Sequence, residues 1–368
     1  MSLRVIIACG GTGGHLFPGI AVAEALQAKG HECLVLISKK EIDALATEGY
    51  DHLTFEKLDA IGMPKLFSPA MLTFGFKLWS TLRACKKIVN DFQADAVLGM
   101  GGFTSMPPVW SARKLKKKTF VHDSNAIPGK ANRLTARFAD VVFVGWQECT
   151  EHFPKRRTEV VGTPVRGSVL REVTEEEALL TFGFSKRSDA KTLFVMGGSQ
   201  GAQGINRGVI SILRLLKDRV GEKLRIIHIA GKYDFEATKR AYDKCGIEHF
   251  VAPFTQSMEC AYKLADLCVA RSGASSMTEL AMFGLPSILV PYPFAAEDHQ
   301  TRNAEVFSSR KAAMLMKEAD ITPDGFGKLV SDLLQDDDAL AKMKSAASKL
   351  ATPEAAANIC AFIEKECQ

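Results

Sequence analysis

The chain has no Cys-x-x-Cys pair. Its nine cysteines are odd in number and scattered, which excludes a zinc knuckle or a disulfide framework. They read as small buried hydrophobes in a reducing compartment. Long apolar runs are missing too. Long uncharged stretches such as 96–112 and 280–296 are broken by Gly and Pro and fall short of the ~20 apolar residues a spanning helix needs. Residues 5–9 are too short for a secretory signal and run straight into glycines, so a cytoplasmic protein is expected. One absence is local. Between residues 60 and 90 there is no Asp or Glu, whereas Lys65, Lys77, Arg83, Lys86 and Lys87 all occur there.

That basic bias extends over the N-terminal half. Residues 1–166 hold 22 Lys and Arg against 15 Asp and Glu, while the remainder holds 25 against 27. Such a balance points to an anionic partner for the first half: a membrane surface, a phosphorylated substrate or nucleic acid. In the acid-free segment Phe67, Met71, Phe74 and Leu78 fall on one helical face, with Leu72, Phe76 and Trp79 beside it. A wide apolar face with basic flanks suits an interfacial membrane contact, in which Lys77 and Arg83 meet anionic headgroups. An ordinary core-packing helix is the rival reading, and Gly75 weakens a single unbroken helix. Arg113, Lys114 and Lys116–Lys118 form a second basic cluster, either a solvated loop or a further lipid contact.

What the chain does have is a regular alternation of strand-like and helix-like segments, the pattern of an α/β protein with parallel sheets. Strands are expected at 3–9, 34–38, 96–100, 119–122 and 141–144, and again at 192–196, 225–229, 267–269 and 285–290. The strand at 3–9 runs into Gly10-Gly11-Thr12-Gly13-Gly14-His15, with a helix expected from Pro18 to Lys29. The strand at 192–196 runs into Gly197-Gly198-Ser199-Gln200-Gly201-Ala202 and another helix. Two nucleotide-fold halves are therefore expected, 1–164 and 165–352, divided at the Gly/Pro turn 162–166. The segment 353–368 reads as one amphipathic helix.

A crowded glycine turn lets a diphosphate approach the backbone, and it also serves any tight strand-to-helix crossing. The first turn does not complete Gly-x-Gly-x-x-Gly, and no Lys-Ser/Thr follows, which disfavours dinucleotide and ATP sites. His15 is either a helix cap or a base or phosphate donor active near neutral pH. The stretch Arg271–Ala304 offers a small-residue turn, a helix start suited to phosphate and an acid, Glu279. Ser276 and Glu279 also have capping-box spacing, a structural rival for Glu279. Pro291–Asn303 reads as a polar loop in which His299, Gln300 and Asn303 are candidates, and Asn125 follows a strand where open α/β folds bind ligands.

Together Gly10–His15, Gly99-Met100-Gly101-Gly102, Gly197–Ala202 and Arg271-Ser272-Gly273-Ala274 closely resemble the MurG family, within glycosyltransferase family 28. The likeness covers nearly the whole chain, in order and spacing. It implies a GT-B fold, two Rossmann-like domains facing across a cleft, with 353–368 returning to the N-terminal domain. It implies an inverting, metal-independent and cofactor-free transfer of GlcNAc from UDP-GlcNAc to the C4 hydroxyl of the muramyl sugar of lipid I. The protein would work on the cytoplasmic face of the bacterial membrane, peripherally, with no nucleic-acid partner. The family's donor contacts fall on Thr12, Gly13, Gly14, Asn125, Arg166, Ser199, Thr255, Ala274, Ser275, Ser276, Met277, Thr278, Glu279, His299 and Gln300. Among these Glu279 would hold the ribose hydroxyls, and His15 matches the family's candidate base. Two departures lie on the expected acceptor side: His122-Asp123-Ser124-Asn125 replaces the more usual His-Glu-Gln-Asn, and Phe103 stands where a tyrosine is frequent. Another lipid-directed GT-B enzyme acting on diacylglycerol, or a non-catalytic nucleotide-sugar-binding membrane protein, are the rival readings.

Overall fold

The computed structural model describes residues 2–10, 13–39, 47, 49–59, 70–198 and 201–368. It divides into two compact units, Met1–Arg166 with Thr352–Gln368, and Gly167–Ala351.

In the first unit seven parallel strands are ordered β3-β2-β1-β4-β5-β6-β7: β1 Arg4–Ala8, β2 Glu32–Ser38, β3 Thr54–Leu58, β4 Ala96–Gly99, β5 Lys118–Asp123, β6 Val141–Val144 and β7 Thr158–Val160. Alternate residues serve opposite faces of this sheet. Val5, Ile7, Leu98 and Phe120 join one core, and Ile6, Ala8, Val97 and Val121 the other. Strands buried on both faces read as unbroken apolar runs, which is why β1, β4, β5 and β6 are legible in sequence. The helices are α1 Gly13–Ala28, α2 Ala70–Asp91, α3 Met106–Lys114 and α4 Lys130–Thr135.

The C-terminal helix, α13 (Ala355–Cys367), belongs to this same unit. Its Ile359, Cys360 and Ile363 are buried in the core that holds Leu16, Ile20 and Ala23 of α1. Glu364 on its rim accepts from Lys29 Nζ at 2.8 Å and pairs with His31 Nε2 at 2.9 Å. Gly162, at φ +83°, carries no side chain because Thr352 fills that space, and its carbonyl accepts from His122 Nε2 at 2.8 Å.

The second unit repeats the plan with six parallel strands, β10-β9-β8-β11-β12-β13: β8 Lys191–Met196, β9 Leu224–Ile229, β10 Glu248–Ala252, β11 Leu267–Ala270, β12 Ser287–Leu289 and β13 Ala313–Leu315. Its helices are α5 Glu175–Phe182, α6 Gln203–Val220, α7 Phe235–Tyr242, α8 Met258–Leu264, α9 Ala274–Met282, α10 His299–Ser309, α11 Pro323–Gln335 and α12 Asp337–Ser348. Both sheets reverse their order of growth beside the first strand, between β1 and β4 and between β8 and β11. Open α/β sheets take their ligands at the carboxyl ends of the strands flanking such a reversal. Every glycine motif singled out in the sequence ends one of these four strands.

The described part of the acid-free segment forms one unbroken helix, α2 from Ala70, because Gly75 is exposed and its propensity cost is outweighed by packing farther along. The expected single apolar face is corrected. Thr81, Cys85 and Val89 are buried, and Phe74 and Leu78 on that inward side line a pocket of about 110 Å³ with Phe103, Met106 and Leu134. Among the described side chains of α2, the large apolar ones left in solvent are Phe76 at 71% and Trp79 at 57% exposure, neighbours of exposed Lys77 and Arg83. Arg83 lies 5.7 Å from the Trp79 ring centre. Lys86 of α2 and Lys114 of α3 both approach the Trp110 ring, so packing joins the two basic clusters. Phe67 and Lys65 lie outside the described residues, as does the side chain of Met71.

Candidate active site

In the first unit α1 starts at Gly13, five residues before the expected Pro18, which places His15 in its opening turn. Proline is tolerated there because the carbonyl it fails to bond, four residues back, belongs to exposed Gly14. The half-buried imidazole of His15 lies against the turn after β4. A Cβ on Gly101 (φ +116°) would sit 2.6 Å from His15 Cδ2 and 2.8 Å from Nε2. Gly102 (φ +72°) faces the other ring nitrogen, Nδ1. The glycines of Gly99–Gly102 are thus a seat for a ring. Two buried hydroxyls fasten that seat. Ser105 Oγ accepts from Gly101 N–H at 2.9 Å, and Thr104 Oγ1 donates to the Gly10 carbonyl at 3.2 Å.

His122 and Asp123 close the other side of this turn. His122 is buried, and loss of hydration pushes its pKa down, so the ring is neutral. Its Nε2 donates to the Gly162 carbonyl and Ser124 Oγ approaches Nδ1 at 3.4 Å. Asp123 Oδ1 accepts from the backbone and side-chain N–H groups of Asn125 at 2.9 and 3.1 Å. Its Oδ2 accepts from Asn132 Nδ2 at 2.7 Å and Gly129 N–H at 3.2 Å. Asp123 thus ties down its own loop and holds the Asn125 side chain. Arg166 stacks on Phe17 of α1 with its guanidinium 3.9 Å from the ring centre, and its buried Nε has no hydrogen-bond partner among the described residues. Thr12 lies outside the described residues, and Gly13 and Gly14 open α1.

In the second unit the turn after β8 bends at Gly198 (φ +83°) and Gly201 (φ +80°), with Gly201 N–H donating to the Gly198 carbonyl at 3.0 Å. A Cβ on Gly201 would meet the Ala230 carbonyl at 2.5 Å. That carbonyl is pinned by Asn206 Nδ2 at 2.8 Å, whose Oδ1 in turn meets His228 Nε2 at 2.9 Å. Burial pushes the His228 pKa down to about 3, so this ring also stays neutral. Ser199 lies outside the described residues.

Glu279 is where the expectation needs most revision. Gly273 is the N-cap of α9, and no side chain caps the helix, so the Ser276–Glu279 capping box does not form. Both residues are inside the helix because the chain turns helical at Ala274, two residues before Ser276. The carboxylate instead accepts from the Tyr262 hydroxyl at 2.6 Å. The Met277 N–H already donates to the Gly273 carbonyl at 3.0 Å and Thr278 follows within the helix, so of this group only Ala274, Ser275 and Ser276 offer backbone N–H groups with no acceptor inside the helix. The buried Ser275 Oγ has no partner among the described residues.

The expected loop at 291–303 is likewise corrected, since His299 begins α10 after Glu297 and Asp298 turn through left-handed conformations. This lets Ser272 Oγ donate to the Gln300 carbonyl at 2.7 Å while Gln300 Oε1 accepts from Tyr292 N–H at 2.9 Å. Asn303 is buried, donating to the Ser272 carbonyl at 3.0 Å, which makes it a fastener of the turn. Arg271 does similar work: its Nη1 donates to the carbonyls of Val290 and Pro291, and its Nη2 pairs with Glu318. Half-buried Thr255 accepts from Ser257 N–H at 3.1 Å, just beyond β10. Sequence reasoning missed Thr104, Ser105, Asn132, Asn206, His228 and Tyr262. Only Thr104 and Ser105 carried a local signal, lying just past Phe103 after the glycines.

Two family models match the chain, the glycosyltransferase family 28 N-terminal domain over residues 5–144 and its C-terminal domain over 192–359. Proteins named UDP-N-acetylglucosamine–N-acetylmuramyl-(pentapeptide) pyrophosphoryl-undecaprenol N-acetylglucosamine transferase are similar over almost their whole length. The one from Geobacter metallireducens is 38% identical, covering 96% of each chain, and the one from Geotalea daltonii is 37% identical, covering 96% of this chain and 95% of its own. Among solved structures, MurG of Acinetobacter baumannii superimposes with a TM-score of 0.78 at 27% identity, covering 99% of both chains.

Proposed function

The chain belongs to glycosyltransferase family 28, and we infer from that premise that it catalyses the reaction for which its relatives are named. It is a UDP-GlcNAc-dependent N-acetylglucosaminyltransferase that converts lipid I to lipid II in peptidoglycan synthesis. The observation that carries this reading is the 37–38% identity to named transferases across 96% of the chain.

The chemistry we propose is a single displacement at the anomeric carbon, with inversion. The acceptor's C4 hydroxyl attacks as His15 takes its proton, and the bond to the departing diphosphate of UDP breaks. His15, the candidate base by resemblance, has its ring beside the Gly101–Gly102 turn at the end of β4, which supports it in that role. Negative charge grows on the diphosphate as the bond breaks. Backbone N–H groups at the start of α9, Ser199 and the Arg166 guanidinium are the groups proposed to stabilise it. Glu279, oriented by Tyr262, would accept from the ribose hydroxyls. Asn125, Thr255, His299 and Gln300 complete the proposed donor contacts. UDP release from UDP-GlcNAc tests the whole. Release is expected with a lipid I analogue and not with diacylglycerol; release with diacylglycerol alone would overturn the acceptor, and none with either would make the protein a binder.

We also propose that α2 docks the protein on the cytoplasmic face of the membrane, where lipid I is anchored. Among the described residues no helix is long and apolar enough to cross a membrane. Exposed Phe76 and Trp79, with Lys77, Arg83, Lys86 and Lys114 close by, have the chemistry of an interfacial contact. Phe74 and Leu78, half-buried, would support this surface from beneath. The double change F76E/W79E is expected to weaken binding to vesicles containing phosphatidylglycerol by about tenfold or more, with UDP affinity kept. Vesicle binding equal to wild type would remove α2 from the membrane.

A further inference from the structure

Glu279 and Phe283 are four residues apart, which places them on one face of α9 and its C-terminal cap. Both meet the same side chain. The Tyr262 ring stacks on Phe283 with centres 4.8 Å apart, and its hydroxyl reaches Glu279 Oε2 at 2.6 Å. On its other side the ring stands edge-on to Phe194 of β8, 5.6 Å between centres at 82°. Tyr262 is 3% exposed, so its hydroxyl needs an acceptor within the protein. The described residues place Met196 Sδ at 3.6 Å and Glu279 Oε2 at 2.6 Å within its reach. A phenol has one proton, and the short contact to a carboxylate takes it.

We propose that Tyr262 is a positioning residue for ribose recognition, holding the Glu279 carboxylate at the angle at which it accepts from the nucleotide's vicinal hydroxyls. This rests on the reading of Glu279 as the ribose ligand. The two walls of the ring come from β8 and from the far end of α9, so the hydroxyl direction is set by the fold and not by the ligand. Without this contact the carboxylate is less narrowly held, and each ribose hydroxyl bond must then bear more of the cost of ordering it. The tyrosine makes that ordering part of folding.

The test is calorimetric titration with UDP and 2′-deoxy-UDP of wild type, Tyr262→Phe, Glu279→Gln and Met196→Leu. Tyr262→Phe keeps both ring contacts and removes only the hydroxyl. It is expected to weaken UDP about five-fold, and 2′-deoxy-UDP less than about two-fold, so that the preference for the ribonucleotide narrows. The KM for UDP-GlcNAc should rise more than kcat falls. Glu279→Gln is expected to erase the preference. If it does so while Tyr262→Phe leaves the preference at the wild-type value, the positioning role is overturned and the ribose reading stands. If Glu279→Gln keeps the preference, the ribose reading fails and the inference with it. A Met196→Leu effect as large as that of Tyr262→Phe would assign the change to packing and overturn the role of the hydroxyl.

Discussion

His15→Ala is expected to lower kcat by about 10²- to 10⁴-fold while UDP affinity stays within roughly three-fold of wild type. The large effect follows from the position of the ring. His15 sits in the first turn of α1, half-buried, with its ring against the Gly101–Gly102 turn. The neighbouring titratable groups are already committed. His122 donates to the Gly162 carbonyl deep in the unit, and Asp123 accepts four hydrogen bonds from Asn125, Gly129 and Asn132. A kcat within tenfold of wild type, at saturating acceptor, would remove His15 as the base. A matching loss of UDP affinity would move it from proton transfer to diphosphate binding.

The second large effect is expected from a methyl group. Gly101→Ala forces a side chain onto a backbone at φ +116° and drives its Cβ to 2.6 Å from the His15 ring. The backbone strain costs about 1–3 kcal/mol. Relief of the clash requires the imidazole to leave its seat, since the other side of the turn is held by Ser105 and Thr104. Activity should therefore fall at least as far as in His15→Ala, by about 10²-fold or more. Gly102→Ala is the control. Its φ of +72° makes the substitution strained as well, but the Cβ would stand 3.4 Å from His15 Nδ1, which the ring can accept with a small shift. Thermal unfolding should show both variants destabilised, while kcat separates them. Equal kcat losses in the two would mean that the turn acts through stability alone and not through the ring.

The central strands were legible because a parallel sheet covered on both faces demands uninterrupted apolar residues, as in Val5–Ala8 and Leu193–Met196. The four strands that went unread are β3, β7, β10 and β13, and these are the four sheet edges. An edge strand is paired on one side only and partly solvated, so TFEKL at 54–58 and TEV at 158–160 carry charge where the periodic signal should be. Helix starts failed too. Pro18 and Ser276 are strong local start signals, yet α1 and α9 begin earlier, at Gly13 and Ala274, and in α9 the extended Gly273 serves as N-cap, leaving the Ser276 signal inside the helix.

By itself the sequence determined the two-unit α/β plan, the family and the glycine turns, because these depend on residue type at short spacing. What only the tertiary structure decided is what the glycines are for and what the acids and aromatics do. The Gly101 backbone seats His15, eighty-six positions earlier in the chain, and the carboxylate of Glu279 is held by Tyr262 and not by a capping serine. The inward and outward residues of α2 were likewise separated by Phe103, Met106 and Leu134, which pack beneath Phe74 and Leu78 and leave Phe76 and Trp79 outside. The physical reason is common to all three. A side chain's role is set by the groups that meet it in space, and those come from segments whose proximity is created by the sheet order, not by spacing along the chain.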